Sequence, residues 1–533
     1  MIHGAWFPRL GVLALACLML LLAAGRAAAP PAPGGVEVLM FHGDPGRTGW
    51  NAAESVLTPA SVGSGAFGSL WTSRVEGEIY AEPLAARDIP AGGGTRTIVY
   101  AVTSRDLVYA FDAAGGGRVW GPVSLGTPVR RASLSCGNVD PVGITSTPVI
   151  DRASSTLYVV GLTTPDEGRT KVYKMVALDL ATGAMRNGWP VVIAPPPASG
   201  LRFDPAVQQQ RGALTLVHGV VYVPFGGYFG DCGGYHGWVV GLPASDPTRQ
   251  QAFATPTRRM GGIWAAGGIA ADGAGNLYAA TGNSDSEGPV DLGDGVVRLA
   301  TTPTLSFSGR PSDFFVPSNF VELNGTDTDL GSSAPLVLPP QRGSSTPDLL
   351  FIAGKQGVGY LVNRANMGGV GRGDGVRGEG IYSRCVFGTC RDGPPEVFSA
   401  TAYWDGGEGA RLILVPGRGS QPAPCRGTGG VVALRLEVAP GTGAQTFGVA
   451  WCGPSMRDPG APAVSGSGQD GAVWVVDAGS GILYALRAST GEKVYESAPQ
   501  DAAGNFHRFV TPAVANGRVY VGAIHAVIAF GLR

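Results

Sequence analysis

Short apolar segments recur along the chain at long, roughly regular intervals. They centre on Pro83, Pro148, Thr215, Ile269, Pro335, Ala402, Ala463 and Pro512. Most are followed, after a turn, by an aromatic-bearing β-run centred on Tyr100, Tyr158, Tyr222, Tyr278, Phe351, Trp474 or Tyr520; the sixth copy has Leu412-Ile413-Leu414 instead. Pro83 and Pro148 lie 65 residues apart, and Pro462 and Pro512 lie 50 apart. A unit of this length, with several short strands and Gly-rich turns, predicts a propeller blade.

Each copy reads as four strands. In the first, residues 79–86 are innermost, 97–103 second, 107–112 third and 118–125 outermost. Period-two alternation is weak in the inner strands because both faces are covered by neighbouring blades. Third strands end in related phrases such as Tyr109-Ala110-Phe111-Asp112 and Val176-Ala177-Leu178-Asp179. A Gly turn follows, then an outer-strand aromatic: Trp120, Trp189 or Tyr495. Glycine permits a positive-φ turn, and the ring buries its area against the next blade. The last copy supplies only three strands, at 509–516, 517–523 and 526–532. Residues 68–75 supply the missing outer one, so pairing the two ends removes two free edges. The expected fold is all-β, an eight-bladed β-propeller over residues 66–533, closed by N- and C-terminal strands.

Composition agrees with this pattern. The 533 residues include 85 Gly and 41 Pro, with 15% charged, which suits a turn-rich β array. A net charge of −1 and the lack of a basic run give no reason to expect nucleic acid or an anionic membrane surface. Residues 1–29 read as a secretory signal: Arg9 in the n-region, an apolar stretch over 10–24 and small residues over 25–29. The alternative is an uncleaved anchor, for which the apolar run is short. Residues 30–65 form an N-terminal leader that opens on a Pro/Gly stretch, and residues 367–380 form a Gly-rich loop that is either mobile or covers one face. Six cysteines remain after cleavage, an even number that suits an oxidising compartment, periplasmic or secreted. They allow fifteen pairings. Spacing and repeat position favour Cys385–Cys390, then Cys136–Cys232 and Cys425–Cys452. There is no Cys-x-x-Cys-His haem motif.

The phrase Ala177-Leu178-Asp179-Leu180-Ala181-Thr182-Gly183, with Trp189 beyond it, resembles the repeat of the pyrroloquinoline-quinone (PQQ) family. The resemblance spans almost the whole mature chain and implies the quinoprotein alcohol-dehydrogenase-like propeller. Phe41–Gly49 and the Val362-Asn363-Arg364 region also resemble uncharacterised exported proteins with that repeat. The resemblance implies PQQ and calcium as cofactors, with site residues as follows. Trp264 matches the indole on which the quinone stacks, or else plugs the channel. Asn283, in Thr281-Gly282-Asn283, matches a calcium ligand, or else forms a turn. Asp329, and after it Asp327, match the catalytic acidic cluster, or else form a turn or structural cation loop; one carboxylate would take the substrate hydroxyl proton. Lys355, in Gly354-Lys355-Gln356-Gly357, matches the basic residue at the quinone oxygens. Two parts depart from the family pattern. Ser135-Cys136-Gly137 stands where the dehydrogenases have adjacent cysteines, and Asp231 stands nearest their calcium-binding Glu. Cys136 and Cys232 are free to pair with each other instead.

Three functions follow. The first is an exported, monomeric propeller that binds a small-molecule, glycan or protein ligand at its axial pocket, with no membrane span after cleavage. The second is a calcium- and PQQ-dependent oxidoreductase of alcohols or sugars. The third is a glycan hydrolase or lyase using His236 and Glu82 for acid–base chemistry. In the bland alternative His236 is a satisfied structural histidine and Glu82 a solvated or ion-paired channel carboxylate.

Overall fold

A computed structural model describes residues 1, 37–371, 380–390, 396–407, 409–468, 471–498 and 506–533. The expected signal, the Pro/Gly stretch and part of the Gly-rich loop lie outside them. Among the described residues no helix is long and apolar enough to cross a membrane.

Eight sheets follow one another along the chain, and each is a blade. The first runs Leu84–Ala91, Gly94–Thr103, Leu107–Asp112 and Arg118–Ser124 from axis to rim. Its inner strand starts five residues later than the sequence suggested. Pro83 has no N–H to give to a ladder, and Glu82 N–H is taken by Thr147 Oγ1 at 2.9 Å. The eighth blade holds Ala513–Ala515 and the long run Arg518–Leu532, with Phe67–Glu78 as its outer strand. The expected two strands at 517–523 and 526–532 share that run. A Cβ at Gly531 would lie 3.1 Å from the Gly517 carbonyl, so the run folds back on itself, and His525 takes φ +64 near the bend. Phe67 pairs with Leu532 and Arg74 with Ala526, the expected closure.

Apolar clusters fill the spaces between blades; Leu412 and Leu414 of the sixth pack on Val473 and Val475 of the seventh. Outer-strand tryptophans lock successive blades by a repeated contact. Trp71, Trp120 and Trp451 donate their indole N–H to Ala113 O, Leu180 O and Ala488 O of the following blade, at 3.0, 2.9 and 2.9 Å. Each indole lies on a positive-φ glycine (Gly116, Gly183 or Gly491), where a Cβ would approach within 2.4–2.7 Å of ring carbons. Side-chain area and a satisfied indole donor thus stabilise the same interface. All three expected disulfides form, with Cα–Cα separations of 6.0 Å (Cys136–Cys232), 5.6 Å (Cys385–Cys390) and 6.2 Å (Cys425–Cys452).

The leader from residue 38 onward threads the axis. Eight inner strands leave their inward edges unpaired, and buried backbone groups need partners. This one segment supplies some to every blade. Val38 pairs with Ala85 of the first. Leu39 O, Pro45 O, Gly46 O, Thr48 O and Gly49 O accept from Ile150, Ala271, Val337, Tyr403 and Val464 of the second, fourth, fifth, sixth and seventh, at 2.7–2.9 Å. Arg47 reaches Leu214 O and Thr215 Oγ1 of the third, and Asn51 Nδ2 donates to Val514 O of the eighth. Phe41 sits inside a ring of Ala213, Ala265, Ala334, Ala400 and Ala461. Glu82 is buried here rather than solvated, and its Oε2 accepts from His42 N–H at 2.8 Å.

Candidate functional site at the channel mouth

Inner strands begin, and second strands end, on one face of the ring, so the segments that meet there are held at both ends by blade strands. Trp264 lies just before the fourth inner strand, Asn283 after the second strand of that blade, Asp329 just before the fifth inner strand and Lys355 after its second strand. The structure brings these four together. Asp329 Oδ1 accepts from Asn283 N–H at 2.6 Å, and its Oδ2 forms an ion pair with Lys355 Nζ. Lys355 also donates to Asp327 Oδ1 at 2.8 Å and Asp327 O at 2.9 Å, and lies 5.6 Å from the centre of the Trp264 ring. Close packing permits this: a Cβ at Gly282 would meet Trp264 Nε1 at 2.8 Å and Asp329 Oδ1 at 2.9 Å.

Burial governs the charges. It raises Asp329, against the opposing pull of Lys355 and the Asn283 N–H. Desolvation lowers the affinity of Lys355 for its proton, but the Asp329 and Asp327 carboxylates outweigh it and the net shift is upward. Asp294 lies behind the pair, accepting from Leu330 N–H at 2.8 Å, with its Oδ2 buried and unpartnered among the described residues. Burial, then the Asp329 charge, pushes Asp294 well above the usual carboxylate range. The ion pair is therefore internally neutral, and Asp327, with 67% of its side chain exposed, carries the remaining charge into solvent.

Asp231 is engaged differently. Its Oδ1 accepts the Tyr235 hydroxyl at 2.5 Å, on a loop fastened by Cys136–Cys232. Among the described residues no group of three or more His, Cys, Asp or Glu side chains is arranged to hold a metal. His236 Nδ1 lies 3.3 Å from Thr257 Oγ1, a satisfied position, and Glu82 is committed to the axial segment. The two do not share a hydrogen-bond partner.

The same mouth carries groups that the sequence reading passed over. Arg211 precedes Gly212, where an added Cβ would lie 3.1 Å from the Ala265 carbonyl, so the residues that follow Arg211 and Trp264 come close together on adjacent blades. The Arg211 guanidinium lies 4.3 Å from the Phe509 ring centre, Phe509 is 6.2 Å from Phe398, and Arg418 covers Phe398 at 4.7 Å. Tyr80 stacks on His507 at 4.0 Å, and His507 Nε2 is 3.2 Å from Glu78 Oε2. Arg211, Phe398 and Phe509 each stand four residues ahead of the threonine or alanine that begins an inner strand, the one regularity that could have marked them.

No protein-family model matches this chain, and no curated protein matches it in sequence. Solved structures do match in shape. The quinohemoprotein alcohol dehydrogenase ADHIIG of Pseudomonas putida HK5 superposes with a TM-score of 0.61 at 17% identity, over 94% of this chain and 80% of that one. The quinohemoprotein alcohol dehydrogenase of Comamonas testosteroni gives 0.60 at 17%, over 95% and 82%. A europium-containing methanol dehydrogenase gives 0.60 at 13%, over 94% and 99%. At these identities the likeness establishes the eight-bladed fold and leaves function to the site.

Proposed function

We propose that this chain is an exported propeller that binds a small polar ligand at the channel mouth without redox turnover. The observation that carries the reading is the mouth itself. A partly exposed indole, Trp264, stands beside the Lys355–Asp329–Asp327 cluster, above an axis plugged by Phe41. An apolar ring face beside fixed charges suits an orienting pocket. The three disulfides are compatible with export.

The second reading, a PQQ- and calcium-dependent oxidoreductase, draws on the convergence of Trp264, Asn283, Asp329 and Lys355 and on the shape of the neighbours. The donor set fits the cofactors poorly. Calcium prefers six to eight oxygens with carboxylates among them, yet Asp329 is neutralised by Lys355 and Asp231 turns to Tyr235. Lys355 has three oxygen partners already and is not free for a quinone carbonyl.

The test adds PQQ and calcium to the purified mature chain and follows the quinone spectrum and dye reduction with alcohols and sugars. No turnover is expected, while calorimetry against a panel of saccharides and organic acids gives a binding signal that Trp264→Ala removes. Alcohol- or sugar-dependent dye reduction would overturn the non-redox reading. A binding signal unchanged in Trp264→Ala would remove the pocket from it.

A further inference from the structure

Two phrases noted in the sequence, residues 41–49 and 362–364, meet far from the mouth. On the opposite face of the ring, where inner strands end and second strands begin, Asp44, Pro45, Gly46 and Thr48 of the axial segment and Arg364 of the fifth blade border a cavity of about 670 Å3. It lies between the fourth and fifth blades, and a volume of this size takes a small organic molecule. Backbone contacts fix its floor. Pro45 O accepts from Ala271 N–H at 2.7 Å and Gly46 O from Val337 N–H at 2.9 Å, so the segment crosses both inner strands. A Cβ at Gly46 would lie 3.1 Å from Asp44 Oδ1 and 3.1 Å from the Val337 carbonyl, which sets the Asp44 carboxylate beside the fifth blade.

The cavity has apolar walls, from Pro45, Pro339, Pro340, Ala274 and Ala365, and an excess of negative charge. Of its two cations, Arg298 is held by Asp313, which lies outside it. Arg364 is shared between Asp272 and Asp348, at 3.0 and 3.2 Å, and Asp348 keeps 51% of its side chain exposed. Asp44 is partly exposed and has no cation within ion-pair distance among the described residues. Its carboxylate accepts from the Thr48 hydroxyl and N–H. Asparagine makes such a turn as readily as aspartate, so the fold there does not need the charge.

We propose that this cavity is a second ligand site, for a small organic cation: an ammonium group on a compact apolar body. The ammonium meets the Asp44 carboxylate by a charge-assisted hydrogen bond, and the proline and alanine walls take the apolar body. The same excess of carboxylates turns anions away. A ligand there touches the axial segment and two blades at once. The site shares no residue with the Trp264–Lys355 cluster and stands apart from the reading given to the mouth.

The test uses the mature chain, with benzylamine as the probe and benzyl alcohol as its uncharged counterpart. Ligand-observed NMR titration should show benzylamine bound and benzyl alcohol bound roughly 10-fold more weakly, the margin of a charged over a neutral hydrogen bond. Benzylamine should also raise the Tm, since it binds the folded ring alone. Asp44→Asn keeps an acceptor for Thr48 and should bring benzylamine down to the level of the alcohol. Ala274→Trp, at an exposed turn on the cavity rim, leaves every charge in place and should block both probes; it decides the matter if Asp44→Asn fails to fold. Benzylamine bound no better than benzyl alcohol would overturn the proposal. So would equal benzylamine binding by the wild type and Ala274→Trp, which would put the probe elsewhere on the ring. Absence of a saturable benzylamine signal up to roughly 10 mM, where even a weak pocket would register, would overturn it too.

Discussion

Arg47→Ala should destabilise the whole propeller, because one side chain ties the axial segment to two blades. Arg47 is 1% exposed. It donates to Phe41 O at 2.9 Å, Ile269 O at 3.0 Å, Leu214 O at 3.0 Å and Thr215 Oγ1 at 2.6 Å. Ile269 O keeps a second donor, the Thr215 hydroxyl at 2.7 Å, so the main loss falls on two buried carbonyls, Phe41 O and Leu214 O. Each unpaired buried group costs about 1–3 kcal/mol, and the buried methylenes add about 0.8 kcal/mol apiece. Against this, the variant no longer holds a charge out of water. Burial lowers the Arg47 pKa from 12.5 to about 10, and at 1.36 kcal/mol per unit the relief is about 3 kcal/mol. The balance is a net loss of about 3 kcal/mol. Urea unfolding of the wild type and Arg47→Ala, followed by tryptophan fluorescence, measures it. A loss under about 1 kcal/mol, inside the range of ordinary surface changes, would refute the claim that the segment braces the ring.

Three further outcomes follow from the same geometry. Burial raises Glu82 from 4.5 to about 8, and burial lowers His42 from 6.5 to about 3. The Glu82 contribution is present below pH 4.5 and is lost as pH rises towards 8, while the His42 contribution is present above pH 6.5 and is lost as pH falls towards 3. They oppose each other between 4.5 and 6.5, so Glu82→Gln should abolish a fall in stability of about 2 kcal/mol between pH 6.5 and 8, read from urea midpoints across pH; an unchanged alkaline slope would count against it. Gly183→Ala, at φ +72 with a Trp120 ring carbon 2.6 Å from the new Cβ, should cost about 2–4 kcal/mol, whereas Gly188→Ala, with open space around it, should cost only about 1; equal losses in thermal melts would dismiss the tryptophan contact. Asp329→Ala leaves Lys355 half-paired and Asn283 N–H unmet and should cost about 3 kcal/mol, while Asp327→Ala at an exposed site should cost under about 1; denaturant midpoints that reverse this order would contradict the charge balance described for the mouth.

The blades were legible because their cause is repeated. Burial of the Tyr100-type runs, the Gly turn after the third strand and the outer aromatic each recur, so errors in one copy are corrected by the others. Boundaries were less legible. Residues 79–83 are apolar enough to extend a strand, yet Pro83 and the Glu82–Thr147 contact keep them out of it. At the site, Trp264, Asn283, Asp329 and Lys355 were named by resemblance to a family, and the fold does bring them together. Their mutual neutralisation was not readable, since it depends on which oxygen meets which nitrogen. Arg211 and Asp294 were missed because neither belongs to a repeated phrase; Arg211 shares only its place, four residues ahead of an inner strand, with Phe398 and Phe509.

The axial segment escaped sequence reading for a deeper reason. Strands and helices reveal themselves by side-chain period, but residues 38–51 act mostly through backbone carbonyls offered one at a time to successive inner strands. Such a path has no period, and only Arg47 and Phe41 use side chains that a pattern could flag. It also couples two tasks within one stretch of chain. The segment fills the axis, and a few residues later Phe67–Glu78 closes the ring against Arg518–Leu532, so contacts from opposite ends of the sequence complete one structure. Contacts of such high sequence separation form late and slowly. Phe41 inside its alanine cluster fills the axis next to Ala265, so under the ligand-binding reading proposed above the Trp264–Lys355 cluster would be reached from the mouth rather than through the ring.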